Sequence, residues 1–329
     1  MPYVIGFHPE DSVVLLTFGP GESFHARIDL PVVDHEQRET VALLREVIAR
    51  NGADRIALVL YTEDAEAALG FADLAVPLLV VEDGVEVIDV IRVSGDRFHH
   101  VDDPDDPGTP YDLSCHPFTA GQVLRGRVVH DSRAALADTL VGTDEVDTER
   151  VAAAADAVAD RILAVGDEAC RRAVAGGPSV PGVIADQLCA EGRWLQRAVR
   201  TALADPGAMT GSDAGRLLVL VALEPLREVA WAEIERANAA EHVELWRALV
   251  RRAPSDLRPA PAALLAFSAW LHGDGALAWC ALERCFEVDP DDALGHHVAA
   301  VLESATPPTV WAPIPQDALR VFAVGAAAG

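Results

Sequence analysis

From Glu149 onward the apolar residues recur at helical spacing almost without a break, whereas before it they come in short runs of strand length. That change of period divides the chain. Val151, Ala155, Val158, Ile162 and Val165 make one helical stripe; Ile184, Leu188, Leu195, Val199 and Ala202 make a second, and Val243, Trp246 and Val250 a third. Gly176-Gly177-Pro178, Asp205-Pro206-Gly207 and Ala253-Pro254-Ser255 punctuate them with residues that end helices. All six Trp lie in this half. The pattern predicts an α+β chain of two domains: a mixed α/β sheet domain over residues 1–145 and an all-α domain over 146–315, either tetratricopeptide-like or a bundle. Residues 316–329, Ala/Gly-rich at their end, read as a partly frayed tail.

Within the first part, Val13 to Phe18 is apolar on both faces and belongs inside a sheet. Phe24, Ala26, Ile28 and Leu30 alternate with His25, Arg27 and Asp29, the period of a half-buried strand, and Gly19-Pro20-Gly21-Glu22 supplies a hairpin turn between the two. Val41, Leu44, Val47 and Ile48 predict a helix from Thr40 to Asn51 that Gly52 closes. Arg55 to Tyr61 reads as a buried parallel strand, so hairpin, helix and strand together imply a right-handed βαβ crossover. A helix from Glu63 to about Glu82, interrupted at Pro77, leads to a second hairpin, Val85 to Val93 and Arg97 to Val101, around Ser94-Gly95-Asp96. Near the other end, Leu264 to Pro290 fits one tetratricopeptide-like helical hairpin. Leu265, Ala266 and Ala269 take the packing positions of its first helix, and Ala278, Leu282 and Cys285 those of its second.

Composition removes several kinds of chemistry. All 26 basic residues are Arg and the formal net charge is −26. Without lysine there is no Walker A phosphate loop and no Schiff-base catalysis. The acidic balance disfavours sequence-independent binding to nucleic acid or to anionic membranes, both of which need clustered basic charge. Five cysteines, an odd number with no C-x-x-C pair, read as small core hydrophobes in a reducing compartment, and no apolar run is long enough to span a bilayer. These features place the protein in the cytoplasm. No G-x-S-x-G, G-x-G-x-x-G or H-E-x-x-H motif occurs, and no cofactor is called for.

Two constellations remain. Alternate residues of a strand share a face, so His25, Arg27 and Asp29 stand together, with His8, Glu10 and Asp11 just before the partner strand. Such a His/Arg/carboxylate set is competent for acid–base work or for gripping an anion; the competing structural explanation is the wet side of a half-solvated strand. The second set is His99, His100, Asp102, Asp103, Asp105 and Asp106, followed by Cys115 and His116. Their types are those of metal ligands, but the spacing matches no zinc pattern and Pro107 breaks the alternation that a calcium loop requires, so a solvated acidic loop is the preferred reading. His296-His297 reads as a surface pair, and Asp34, Glu36 and Glu39 as charges near a helix N-terminus.

The opening Gly6-Phe7-His8-Pro9-Glu10-Asp11-Ser12, running into Val13-Val14-Leu15-Leu16, resembles an actinobacterial family known as domain of unknown function 4192. The likeness continues through Arg27-Ile28-Asp29-Leu30-Pro31, Ile88 to Val93, Gly126-Arg127-Val128-Val129, Ser132 to Leu136, and Leu264 to Pro290. The resemblance implies aromatic residues followed by a cysteine group in the His99 to Asp106 loop; here Asp stands in place of those cysteines, which argues against a metal or redox role. It supplies no reaction, ligand or catalytic residue. Two functions stay open: a non-catalytic interaction or scaffold protein with a protein partner or self-association, and an enzyme or sensor binding a small anionic ligand through His8, Asp11, His25, Arg27 and Asp29.

Overall fold

The computed structural model describes residues 2–19, 24–103, 105–113, 116–124, 128–175, 180–205, 207 and 209–323. The expected turn at Pro20-Gly21-Glu22, the residues Gly126, Arg127, Cys115 and Pro206, the break at Gly176-Gly177-Pro178 and the last six positions of the tail lie outside the described residues. The chain divides into two compact units, Met1–Leu136 with Val301–Pro307, and Ala137–Ala300 with Pro308–Gly329.

The first unit holds a short helix α1 (Pro2–Ile5), then β1 (Ser12–Phe18), β2 (His25–Asp29), α2 (Asp34–Asn51), β3 (Arg55–Tyr61), α3 (Ala65–Pro77), β4 (Glu86–Ser94), β5 (Arg97–His100) and a two-residue β6 (Thr109–Pro110), followed by α4 (Pro117–Leu124) and α5 (Arg133–Asp138). The strands form one mixed sheet in the order β2-β1-β3-β4-β5-β6. β1 is antiparallel to both of its neighbours, so β2 and β3 run parallel with β1 inserted between them, and α2 makes a split crossover. A second crossover, β3–α3–β4, joins adjacent parallel strands, and β4 turns back into β5 as the expected hairpin.

One detail differs from the periodicity reading for a physical reason, and the expected interruption at Pro77 has one too. α2 begins at Asp34, seven residues before the first apolar position, Val41, because its opening turns are solvated and carry Asp34 and Glu36 against the positive end of the helix dipole. An apolar stripe marks the buried part of a helix, not its length. At the other helix, the Asp64 side chain caps the N-terminus of α3 by accepting from the Glu66 and Ala67 amides. Pro77 has no N–H to continue the ladder, and the chain loosens into a π-helical turn over Leu78–Glu82.

The main core of this unit is one face of the sheet covered by α2 and α3. Val13 and Leu15 of β1 and Ile56, Leu58 and Leu60 of β3 meet Val41, Leu44 and Ile48 of α2 and Ala68, Phe71 and Ala75 of α3. The register explains why a continuous apolar run suited β1: Val13 lies opposite Leu60 and Leu15 opposite Leu58 on this face, while Val14 lies opposite Val59 on the other. That second face is also apolar at its centre, where Val14, Val59 and Val93 are buried among Leu16, Tyr61, Ile91 and Phe98.

The second unit is helical: α6 (Glu145–Val174), α7 (Val180–Ala204), α8 (Gly211–Ala222), α9 (Glu224–Trp231), α10 (Ala239–Arg252), α11 (Pro259–His272) and α12 (Gly275–Phe286). α13 (Ala293–Glu303) and the short α14 (Arg320–Ala323) follow. α11 is buried from Pro259 through Leu271, as a helix apolar all round must be, and it packs against α8, α10 and α12. Gly273, in the left-handed region at φ 85°, ends α11, and Asp274 caps α12 at Leu277. Leu265, Ala266, Ala269, Ala278, Leu282 and Cys285 are all buried in this hairpin. α6 and α8 approach at Gly215, where an added Cβ would lie 2.7 Å from the Val151 carbonyl oxygen. Where the sequence suggests fraying from Gln316, a 3-10 turn over Gln316–Ala318 leads into α14, with Leu319 and Val321 buried and Val321 and Phe322 against Gly192 of α7.

Candidate functional site

The heptapeptide forms a doubly pinned strap at the sheet edge. Gly6 takes φ 84° and Asp11 φ 37°, a left-handed conformation that Asp tolerates better than most residues. On one side, Phe7 bridges to His130, with the His8 amide donating to the His130 carbonyl at 3.0 Å and the His130 amide to the Gly6 carbonyl at 2.9 Å. On the other, the Leu30 amide donates to the Asp11 carbonyl at 2.7 Å. Phe7 is buried while the His8, Glu10 and Asp11 side chains face solvent.

Arg27 is the clasp of this strap. Its Nε donates to Ser12 Oγ at 2.9 Å, its Nη2 reaches the Glu10 carbonyl at 3.5 Å and Asp29 Oδ1 at 2.6 Å, and its guanidinium lies 5.7 Å from the centre of the Phe7 ring. The Ser12 hydroxyl in turn donates to the Glu10 carbonyl. Arg27 and Asp29 differ in exposure, 20% against 83%, so the ion pair is open to water and the clasp rests mainly on Ser12, Glu10 and the Phe7 ring. Of the sequence candidates, Arg27 pairs with Asp29, while His8 and Asp11 are exposed on the strap. His25 sits opposite Leu16 at the far end of β2, on the same face as Arg27 and exposed. β2 is the edge of the sheet, where charged side chains on an unpaired strand discourage association with a foreign strand.

The second constellation is a loop closed on itself. Asp106 accepts from the His100 and Gly108 amides, each at 2.8 Å, and these two bonds hold its carboxyl below the usual range. The Asp106 carbonyl lies 3.1 Å from His99 Nδ1, and the His99 ring packs where a Cβ on Gly108 would be. His100 instead faces Asp89 at 3.6 Å. Asp102 is exposed, and the His116 amide donates to the Leu113 carbonyl. Among the described residues, no three His, Cys, Asp or Glu side chains converge in a metal-binding group. His100 shares the sheet face of Arg27, but β2 and β5 are four inter-strand steps apart, about 19 Å at ~4.8 Å each, so the two constellations do not meet.

The helical unit holds two features that the sequence did not single out. One is an aromatic cluster: Trp231 of α9 stacks on Trp311 at 5.6 Å between ring centres, and Phe267 of α11 meets Trp231 at 5.5 Å and Trp311 at 4.8 Å. His297 stands 6.0 Å from Trp231. Both Trp residues are half-buried, yet both indole Nε1 atoms are sealed from water and have no acceptor among the described residues. The six Trp residues announced a helical half rich in anchors, but the stacking partners are far apart in the chain and no local pattern pairs them. The other feature is an open cleft of about 380 Å³ whose lining includes Arg251, Arg258 and Arg284 with Glu145 and Glu149. Arg284 pairs with Glu287 at 3.1 Å, whereas the Arg258 guanidinium has no polar partner among the described residues.

Arg247 Nε is likewise buried without a partner among the described residues, whereas several other polar groups inside this unit are satisfied. Arg227 pairs with the buried Asp292, whose second oxygen accepts from the Gly295 amide at 2.8 Å. His242 is fully buried, accepts from the Trp246 indole at 3.2 Å and has its other ring nitrogen 3.0 Å from the Glu233 carbonyl; burial lowers its pKa to about 4. Cys280 and Cys285 are core residues, and burial pushes the Cys285 thiol up to about 12, which makes it a poor nucleophile. Among the described residues, no helix is long and apolar enough to cross a membrane.

No curated protein and no solved structure matches this chain. A family model, described as a domain of unknown function (DUF4192), matches residues 1–309 and so takes in the strap, the whole sheet and the helices through α13. The chain belongs to that family.

Proposed function

We propose that the protein is a non-catalytic, cytoplasmic interaction module that engages a protein partner through its helical unit, with α11 and α12 packed as a tetratricopeptide-like hairpin. The observation that carries this reading is the half-buried Trp231–Trp311 stack with two unsatisfied indole donors. Trp supplies a large contact area with few rotors and is enriched at the energetic centres of interfaces, and a buried donor without an acceptor marks a packing that a rearrangement could improve. The clasp on the heptapeptide supports the same reading from the other side. Arg27, the natural anion grip, spends its Nε and Nη2 donors on its own chain. The test is affinity capture from native lysate with the wild type and with Trp231→Ala. The wild type is expected to retain a partner near one-to-one and the variant to lose at least tenfold of it; capture of nothing stoichiometric by the wild type contradicts the proposal.

One observation favours a second reading, a sensor for a small anionic ligand: the unpartnered Arg258 in the cleft beside Arg251 and Arg284. It moves the ligand from the hairpin, where His8, Asp11, His25, Arg27 and Asp29 were the candidates, to the helical unit. Thermal stabilisation by a carboxylate or phosphate compound that Arg258→Ala abolishes would support it, and equal response of both proteins would end it.

A further inference from the structure

The aromatic cluster already has an occupant. After α13 the chain makes a 3-10 turn over Pro308–Val310, packs Trp311 against both Trp231 and Phe267, which also touch each other, and continues through Pro313 and Pro315 to a second anchor at Leu319 and Val321. Between those anchors Ala312, Pro313, Pro315, Gln316, Asp317 and Ala318 are exposed. A segment held at two points with solvated backbone between them opens at lower cost than the helices beneath it. Its seat is also imperfect, since the Trp231 and Trp311 indole N–H groups are both buried without an acceptor among the described residues. The surface that receives it, Trp231, Phe267 and His297, falls inside the family match at 1–309, and Trp311 falls just past it.

From these four facts we infer that the Trp231–Phe267–His297 surface is a docking site for a proline-flanked aromatic peptide of a partner protein, and that residues 308–318 occupy it in cis as a competing strap. The inference rests on the interaction reading above and adds the partner's chemistry and its regulation. The seated segment is the template: one aromatic ring for the Trp231–Phe267 slot, flanked by prolines that hold an extended backbone at little entropic cost. A partner whose backbone carbonyl meets Trp231 Nε1 gains a hydrogen bond that the strap does not make. The strap has the advantage of tethering, because the Leu319 and Val321 anchor keeps Trp311 at high local concentration, so the site is closed until a stronger or more concentrated peptide arrives.

The experiment uses a fluorescently labelled synthetic peptide spanning residues 305–318, titrated by anisotropy against the wild type, Trp311→Ala, and the double variant Trp231→Ala/Trp311→Ala, with folding checked by circular dichroism. The peptide is expected to bind Trp311→Ala at least tenfold more tightly than the wild type and to lose that gain in the double variant. Equal affinity for wild type and Trp311→Ala, or tight binding that the Trp231 change leaves intact, overturns the strap. Hydrogen exchange on the unaltered protein gives an independent check: amides over 309–318 should exchange at least a hundredfold faster than those of α11, and protection equal to α11 contradicts a detachable segment. Loss of the peptide effect with partner capture still dependent on Trp231 would end the strap proposal and leave the interaction reading standing; loss of both ends both.

Discussion

Arg27 shows how a residue suited to ligand binding becomes structural. A guanidinium offers a planar fork to any anion, but here its Nε and Nη2 are taken by Ser12 Oγ, the Glu10 carbonyl and Asp29, with the Phe7 ring 5.7 Å away. Replacing Arg27 by Ala should lower stability by about 1–2 kcal/mol, seen as a melting shift of a few degrees, and added phosphate or carboxylates should stabilise wild type and variant equally. An anion that protects the wild type alone would restore the ligand-binding role. His242 makes the opposite use of burial. Its folded pKa of about 4 lies below the ordinary value of 6.5, so the stability that depends on its neutral ring is complete above 6.5 and is lost as the pH falls from 6.5 to about 4. That loss amounts to about 3 kcal/mol at most. Denaturant titrations across this window should show a steeper decline for the wild type than for His242→Gln, and parallel declines would contradict the buried neutral ring.

The elements divide by how local their causes are. The alternation at β2, the two-sided run at β1, the parallel character of β3 and the hairpin around Gly95 were legible because each follows from a period of two and a nearby turn. The insertion of β1 between β2 and β3 was not, since both neighbours satisfy the same apolar pattern and only long-range pairing chooses the order. The candidate site was legible to the same degree: the strand face of His25, Arg27 and Asp29 follows from alternation. The bridge from Phe7 to His130, the sealing of His99 against Gly108 and the stack of Trp311 on Trp231 depend on partners remote in sequence. The α6–α8 contact gives an element-scale prediction. Gly215→Ala would drive a methyl group to 2.7 Å from the Val151 carbonyl and 2.8 Å from Ala154 Cβ, and should cost about 1–3 kcal/mol as the helices separate. Gly166→Ala on the same long α6 meets open space and should instead stabilise by about 0.5–1 kcal/mol. Thermal denaturation of the two variants checks both signs at once.

For the whole molecule, a net charge of −26 carried on a lysine-free chain narrows the partners more than any motif does. The helical unit offers a partner two features among the described residues: an aromatic cluster already occupied by the chain's own Trp311 and a cleft that mixes Arg with Glu. The cluster offers what interfaces use: stacked rings and a nearby edge-on Phe267. The central claim is that the protein works by holding another protein. Native mass spectrometry of the tagged chain, isolated gently from its own cells at its natural abundance, tests this most directly. A heteromeric species of defined mass that disappears when Trp231 is replaced by Ala is expected; a single species at the mass of the tagged monomer in wild type and variant alike would overturn the interaction reading.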